Sequence, residues 1–181
     1  MEKVTLIIEN LEEEISEWLL LEYKHVCNIW KNVFFTRAEK LEDFFPGKTT
    51  EKTFSDIFHR VIVLDPQAKK ELRPSDFKDI EAVVIGGILG YEKPKGRTRK
   101  LLVSKVGEKN SRNLGKKQLS IDSAALVAKL IYLGYKLEEI EITNEVVIDC
   151  GEEKIILPYG YVVIENKIII TPGLIEYLLS K

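Results

Sequence analysis

The residues best suited to hold a ligand are two glycine-bearing strand ends, Val83-Val84-Ile85-Gly86-Gly87-Ile88-Leu89-Gly90 and Asn113-Leu114-Gly115. Each runs on toward a segment of helical character, so together they describe the rim of a buried α/β sheet. At such a rim the carboxyl ends of the strands expose backbone donors and acceptors, and glycine, lacking Cβ, lets a flat ligand approach the main chain. Neither cluster fits G-x-G-x-x-G or G-x-x-x-x-G-K-[ST], which disfavours dinucleotide and nucleoside triphosphate sites. The only histidines, His25 in a predicted helix and His59 in an irregular region, read as ordinary surface or core residues, so a Ser-His-Asp hydrolase is poorly supported. No H-x-x-x-H or clustered Cys/His offers a transition-metal site. What remains is chemistry needing no metal, nucleophile or triphosphate. Methyl transfer from S-adenosylmethionine qualifies, because a sulfonium carries its own activation and the protein mainly aligns donor and acceptor.

Holding that rim requires alternating strands and helices. Val4 to Glu9 reads as a strand, Glu12 to Trp30 as an amphipathic helix, and Asn32 to Phe35 as a short strand. An irregular region to His59 follows, with Phe44-Phe45-Pro46-Gly47 as a turn signal. Val61-Ile62-Val63-Leu64, closed by Asp65-Pro66, suits a buried parallel strand. Ser75 or Asp76 caps a short helical turn before the strand Ala82 to Ile85, and Arg97 to Val106 is helical. Ser120 to Leu133 is apolar nearly all round, with Ser120 as N-cap and Gly134 just past the end, which marks a helix buried in the core. From Val146 the pattern becomes short strands: Val146 to Ile148, Lys154 to Leu157, Tyr161 to Ile164 and Ile168 to Ile170, with Asn166 as a hairpin-turn residue. Thr171 as N-cap and Pro172 at the first helical position open a last helix through Leu179.

At 181 residues the chain fits a single domain, 1–181, with 146–181 as a strand-and-helix extension. Cys27 and Cys150 lie far apart without a C-x-x-C, so a disulfide framework is not indicated and the compartment reads as reducing. With no signal-peptide pattern and no 18-residue apolar run, the expectation is a soluble cytoplasmic protein that contacts no membrane. The net charge of -2 conceals a polarity along the chain. Glu2 to Glu22 carries seven acidic residues against one lysine, whereas Glu92 to Lys117 carries ten Lys or Arg against two Glu. The basic 93–117 stretch could meet RNA phosphates, or be a solvated loop in a lysine- and glutamate-rich protein.

Several motifs in order then stop being generic. Gly86-Gly87-Ile88-Leu89-Gly90, Arg97-Thr98, Asn113-Leu114-Gly115 with Gln118-Leu119-Ser120-Ile121-Asp122-Ser123-Ala124, and Pro158-Tyr159 with Pro172-Gly173-Leu174 resemble a family within the SPOUT, or α/β-knot, methyltransferases. Ile7-Ile8-Glu9-Asn10 with Ser16-Glu17-Trp18 and Glu22-Tyr23 fits the same family. That family includes a fungal enzyme that methylates an arginine of a small-subunit ribosomal protein, and archaeal members described as predicted RNA methyltransferases. The resemblance implies a mostly parallel α/β sheet flanked by helices and a C-terminal trefoil knot, which periodicity alone cannot reveal. It implies S-adenosyl-L-methionine as cofactor, held by Leu64, Gly86, Gly87, Ile88, Gly90, Asn113, Leu114, Gly115, Gln118, Leu119 and Ser120. Tyr91 separates the glycine run from Glu92, where relatives often have an acid directly, which leaves a role for Glu92 unsupported.

An arginine acceptor is cationic and needs a carboxylate to orient it and expose a nitrogen lone pair. Glu9, Glu17 and Asp65 are the candidate acids, and Arg97 a candidate contact for the cofactor's carboxylate. The reading is a methyltransferase acting on an arginine of a ribosomal or other RNA-associated protein. Its rivals are an RNA methyltransferase acting on a base or ribose, and a noncatalytic RNA-binding or ribosome-assembly module. SPOUT enzymes are commonly homodimers, but the strands after Val146 could instead cover that face.

Overall fold

Short strands with apolar centres, alternating with helical segments, build a parallel sheet covered on both faces. The computed structural model describes residues 2–89 and 96–181. Strands β1 (Thr5–Asn10), β2 (Val33–Thr36), β3 (Val61–Leu64), β4 (Ala82–Gly87) and β5 (Ser111–Arg112) lie in the order β2-β1-β4-β3-β5, every pair parallel. Helix α1 (Glu17–Ile29) joins β1 to β2. Between β4 and β5 a helical run over 97–106 contains a wide turn, Arg99–Val103, and ends in α2 (Ser104–Val106). Helix α3 (Ile121–Tyr132) follows β5 and packs against α1.

Alternation along the strands divides the core. Leu6, Ile8, Ile62, Leu64, Val83 and Ile85 share one cluster with Leu19, Val26, Ala125 and Ala128 of α1 and α3. Ile7, Val61, Val63 and Val84 share the other with Phe54, Leu102 and Val103. Two antiparallel hairpins, β6 (Val146–Asp149) with β7 (Lys154–Leu157) and β8 (Val163–Ile164) with β9 (Lys167–Ile168), precede α4 (Leu174–Leu179). Val146, Leu157, Tyr159, Tyr161 and Leu174 form a third cluster, packed against Trp18.

Local signals placed β3, β7 and the Ser120 cap as expected, and Glu165 and Asn166, at φ 51° and 63°, turn the last hairpin. Other boundaries moved for tertiary reasons. Helix α1 begins at Glu17, because Ser16 Oγ accepts the Leu19 amide while Glu12 is drawn across to Leu89 and Arg97. Thr171 does not cap α4: its hydroxyl donates to Asp122 Oδ2 at 2.6 Å, and Gly173, at φ 84°, takes the cap position. The last strand pair is shorter than expected, with Tyr161, Val162, Ile169 and Ile170 outside it.

The glycine pair forms the end of β4, where Gly86 and Gly87 pair with Glu9 and Asn10. A Cβ at Gly87 would stand 2.2 Å from the Tyr23 hydroxyl and 3.1 Å from the Glu9 carbonyl oxygen. Gly87→Ala is therefore expected to lower stability by roughly 1–3 kcal/mol through overpacking, read as a shift in the urea midpoint. A midpoint equal to wild type would show that Tyr23 moves aside at no cost.

Candidate functional site

The chain leaves β1 toward β2 on one side and leaves β4 toward β5 on the other. This reversal opens a crevice at the carboxyl ends of the strands, where open α/β sheets receive ligands. Beside it lies a cavity of about 190 Å³. Its floor is Leu64 at the end of β3 and the following Asp65 to Gln67, with Ile85, Gly86, Ile88 and Leu89 of β4 and its sequel. Gly96 to Thr98 close one side, and Leu114 to Ile121 with Ala124 the other. The two glycine-bearing ends, far apart in sequence, thus face a common space.

Of the residues singled out from the sequence, Leu64, Gly86, Ile88, Leu114, Gly115, Gln118, Leu119 and Ser120 line this cavity, as do Asp65 and Arg97. Gly87 lies behind the wall against Tyr23. Asn113 also stands outside the lining, but its Oδ1 accepts the Gly115 amide at 2.9 Å and its Nδ2 donates to the Ala68 carbonyl. It therefore shapes the bend in which Gly115 holds φ 92°. The Gly160 amide donates to the Gln118 carbonyl at 2.8 Å, so the carboxy-terminal segment buttresses the same wall. Gly90 and Glu92 fall outside the described residues.

The candidate acids occupy three different environments. Glu9 is fully buried, and its Oε1 accepts from the Thr53 hydroxyl and the Phe54 amide, both at 2.7 Å, and from Thr36 at 3.1 Å. It pins the irregular 37–60 region to the sheet and is not in the cavity lining. Glu17 is exposed in the first turn of α1 and is likewise outside the lining. Asp65 is on the wall: Oδ1 accepts the Gln67 amide and Oδ2 pairs with Arg99 Nε at 2.9 Å. Arg99 reaches on to Glu108 at 2.5 Å.

A second polar group is buried just behind the N-terminus of α3. Glu22 Oε1 accepts the Ile121 amide at 2.7 Å, and Asp122 Oδ2 receives His25 Nδ1 at 2.7 Å and the Thr171 hydroxyl. Burial, reinforced by the Asp122 carboxylate, pushes the Glu22 carboxyl up to about 8, against the opposing pull of the Ile121 amide. Burial and the same two acids push the Tyr161 phenol far above its ordinary range. Glu22 thus holds its proton at neutral pH and steadies the helix end that carries Ser120 and Ile121 into the cavity wall. Among the described residues, no group of three His, Cys, Asp or Glu is placed to hold a metal ion, and no helix is long and apolar enough to cross a membrane.

Residues 5–181 match the model of a family described as protein arginine N-methyltransferase SFM1-like. The chain belongs to that family. This SFM1-like chain is 33% identical over 153 residues to protein arginine N-methyltransferase SFM1 of Saccharomyces cerevisiae, covering 69% of each protein. Its fold is similar to crystal structures of the yeast arginine methyltransferase SFM1 complexed with SAM, at TM-score 0.85 and 27% identity over 98% of this chain and 91% of that one. A second, complexed with SAH, gives TM-score 0.84 and 28% identity over 96% and 94%. Trm10 of Thermococcus kodakaraensis, at 19% identity and TM-score 0.54 over 75% and 96%, shares the fold alone. The SFM1-like architecture is thus the SPOUT-like one expected: a mostly parallel sheet flanked by helices, with short antiparallel strands after it.

Sequence reasoning passed over three acids of this SFM1-like site: Glu12 beside the cavity, and Glu22 and Asp122 behind it. Glu12 lay at the start of the helix read as Glu12 to Trp30, and the other two stood inside family motifs without being assigned a role of their own. Reading Ser16 as the N-cap of α1 was the available signal, because it places Glu12 in the connection before the helix rather than on it.

Proposed function

We propose that this protein uses S-adenosyl-L-methionine to methylate an arginine side chain of another protein. The observation carrying this reading is the cavity itself, formed by both glycine-bearing ends within a chain of the SFM1-like family. Its residues suit the cofactor. A Cβ at Gly86 would meet Thr98 Oγ1 at 3.1 Å and Leu102 Cδ1 at 3.4 Å, so glycine there lets Thr98, itself on the cavity wall, pack directly on the β4 main chain. Leu64, Ile85, Leu114, Leu119 and Ile121 would flank the adenine, and Gly115, Gln118, Ser120 and Ile88 would supply the rest of the cradle. Asn113 supports it from outside, and Arg97 or Lys116 would meet the carboxylate tail. When bound, the sulfonium supplies a methyl group already activated for transfer, and the protein contributes position and electrostatics.

The guanidinium nitrogen gives up one proton for the methyl it gains. Of the candidate acids, Asp65 is the one on the cavity wall, but its Oδ1 accepts the Gln67 amide and its Oδ2 pairs with Arg99, so it would shape the wall rather than meet the incoming side chain. Glu9 would act through the loop it pins, and Glu17 through the exposed approach along α1. The substrate we favour is a ribosomal or other RNA-associated protein met in the cytoplasm, and the family's trefoil knot belongs to this reading. RNA as the acceptor is the second reading, favoured by a surface groove of Lys69, Lys70, Arg73 and Arg112 beside Glu71 and Asp76.

With labelled cofactor and cell extract, label is expected in material that protease destroys and nuclease leaves intact. Label removed only by nuclease would transfer the assignment to RNA. Absence of S-adenosylhomocysteine binding at micromolar concentration would leave only a noncatalytic module.

A further inference from the structure

Beyond the acids singled out from the sequence, one carboxylate at the cavity edge already holds an arginine. Glu12 lies two residues past β1, and its backbone is fixed from several sides. Asn10 Nδ2 donates to its carbonyl at 3.0 Å, the Tyr23 hydroxyl holds that Asn10 side chain at 2.8 Å, and the Leu11 amide donates to the Gly87 carbonyl. Lys40 Nζ also reaches the Glu12 carbonyl. The side chain of Glu12 is thereby delivered to the cavity edge, where Oε1 accepts the Leu89 amide at 3.1 Å and Arg97 Nη2 at 3.0 Å. Leu89 and Arg97 both line the cavity.

Other carboxylates near this edge are engaged differently. Glu9 has no exposed surface, Asp65 is closed against Arg99, and Glu22 is buried at the end of α3. The Glu12 side chain retains 18% exposure, and both of its bonds among the described residues fall on Oε1. A carboxylate with one oxygen on a guanidinium, and the other not bonded among the described residues, matches half of the two-pronged geometry in which carboxylates bind arginine.

We propose that Glu12 receives the guanidinium of the substrate arginine, and that Arg97 occupies this carboxylate until substrate arrives. Glu12 is then a specificity-determining residue: it selects a planar, cationic fork over a lysine ammonium and sets the acceptor nitrogen at the edge of the cofactor cavity. Arg97, displaced, remains on the cavity wall. The inference rests on the arginine methyltransferase reading above.

Glu12→Gln tests it, because the amide oxygen still accepts from Leu89 while the charge is lost. Steady-state kinetics on an arginine-bearing protein substrate should show KM raised roughly 10- to 100-fold, the scale of one hydrogen bond between charged partners, with kcat changed far less. Calorimetry should show S-adenosylhomocysteine affinity within about twofold of wild type, and Glu12→Asp should recover part of the loss. An unchanged KM overturns the inference. So does a parallel loss of S-adenosylhomocysteine affinity, which would make Glu12 only a support for Leu89 and Arg97. Wild-type protein that binds no S-adenosylhomocysteine removes the methyltransferase reading and this inference with it, whereas active wild type with an indifferent Glu12→Gln removes the inference alone.

Discussion

Gly115→Val is expected to weaken S-adenosylhomocysteine binding roughly 10- to 100-fold while leaving most of the folding stability in place. Gly115 holds φ 92°, a conformation that costs an L-residue about 1–2 kcal/mol and a β-branched one more. Space is not the obstacle, since a Cβ there would meet only Leu137 Cδ2 at 3.7 Å. Backbone strain is. The bend is tied by the Asn113 side chain to the Gly115 amide, and letting that bond go is a smaller change than unfolding the sheet. The variant should therefore relax locally, carrying Leu114 and Gln118 out of the cavity wall. Gly134→Val is the matched control: it imposes the same kind of strain at φ 111°, with open space around it, at the far end of α3. Calorimetry on both variants separates the outcomes. Equal affinities for wild type and Gly115→Val would remove the 114–120 bend from the cofactor site.

Glu22→Gln should reshape the dependence of stability on pH. In the unfolded chain this carboxyl ionises near 4.5, and in the fold at about 8. Between those values the folded protein keeps a proton that the unfolded chain has released. Stability from this group is thus complete below pH 4.5, declines as pH rises, and is lost above about 8. At about 1.4 kcal/mol per pH unit, the interval amounts to a few kcal/mol. A glutamine preserves the acceptor for the Ile121 amide and can donate to Asp122 without ever ionising. Wild type and variant should have similar denaturation midpoints at pH 5, with the variant more stable at pH 9 by a few kcal/mol. His25, Tyr159, Tyr161 and Asp122 surround the site in both proteins, so the difference curve isolates Glu22. Parallel curves from pH 5 to 9 would show that Glu22 ionises as readily in the fold as in the unfolded chain.

Both experiments probe contacts that separate what was legible in the sequence from what was not. The run Val61 to Leu64 reads as a buried strand because four consecutive apolar residues can be satisfied only with cover on both faces, and Asp65-Pro66 stops them. Ser120 reads as a cap because its hydroxyl serves the Ser123 amide, three residues on. Glu12 shows the opposite case. Charged and next to good helix formers, it belongs locally to α1, yet its partners are Leu89 and Arg97, 77 and 85 residues away.

The amino-acid order by itself determined the apolar runs, the cap of α3, the glycines of the two ligand-facing ends and, through motif order, the family. These depend on interactions within a few residues, which the chain forms wherever it lies. Tertiary structure alone decided the strand order β2-β1-β4-β3-β5, the burial of Glu22 beside Asp122, the loss of Thr171 as a cap and the seating of Arg97 on Glu12. Each of those depends on which distant polar group is closest once both faces of the sheet are covered, and local propensity carries no information about that distance.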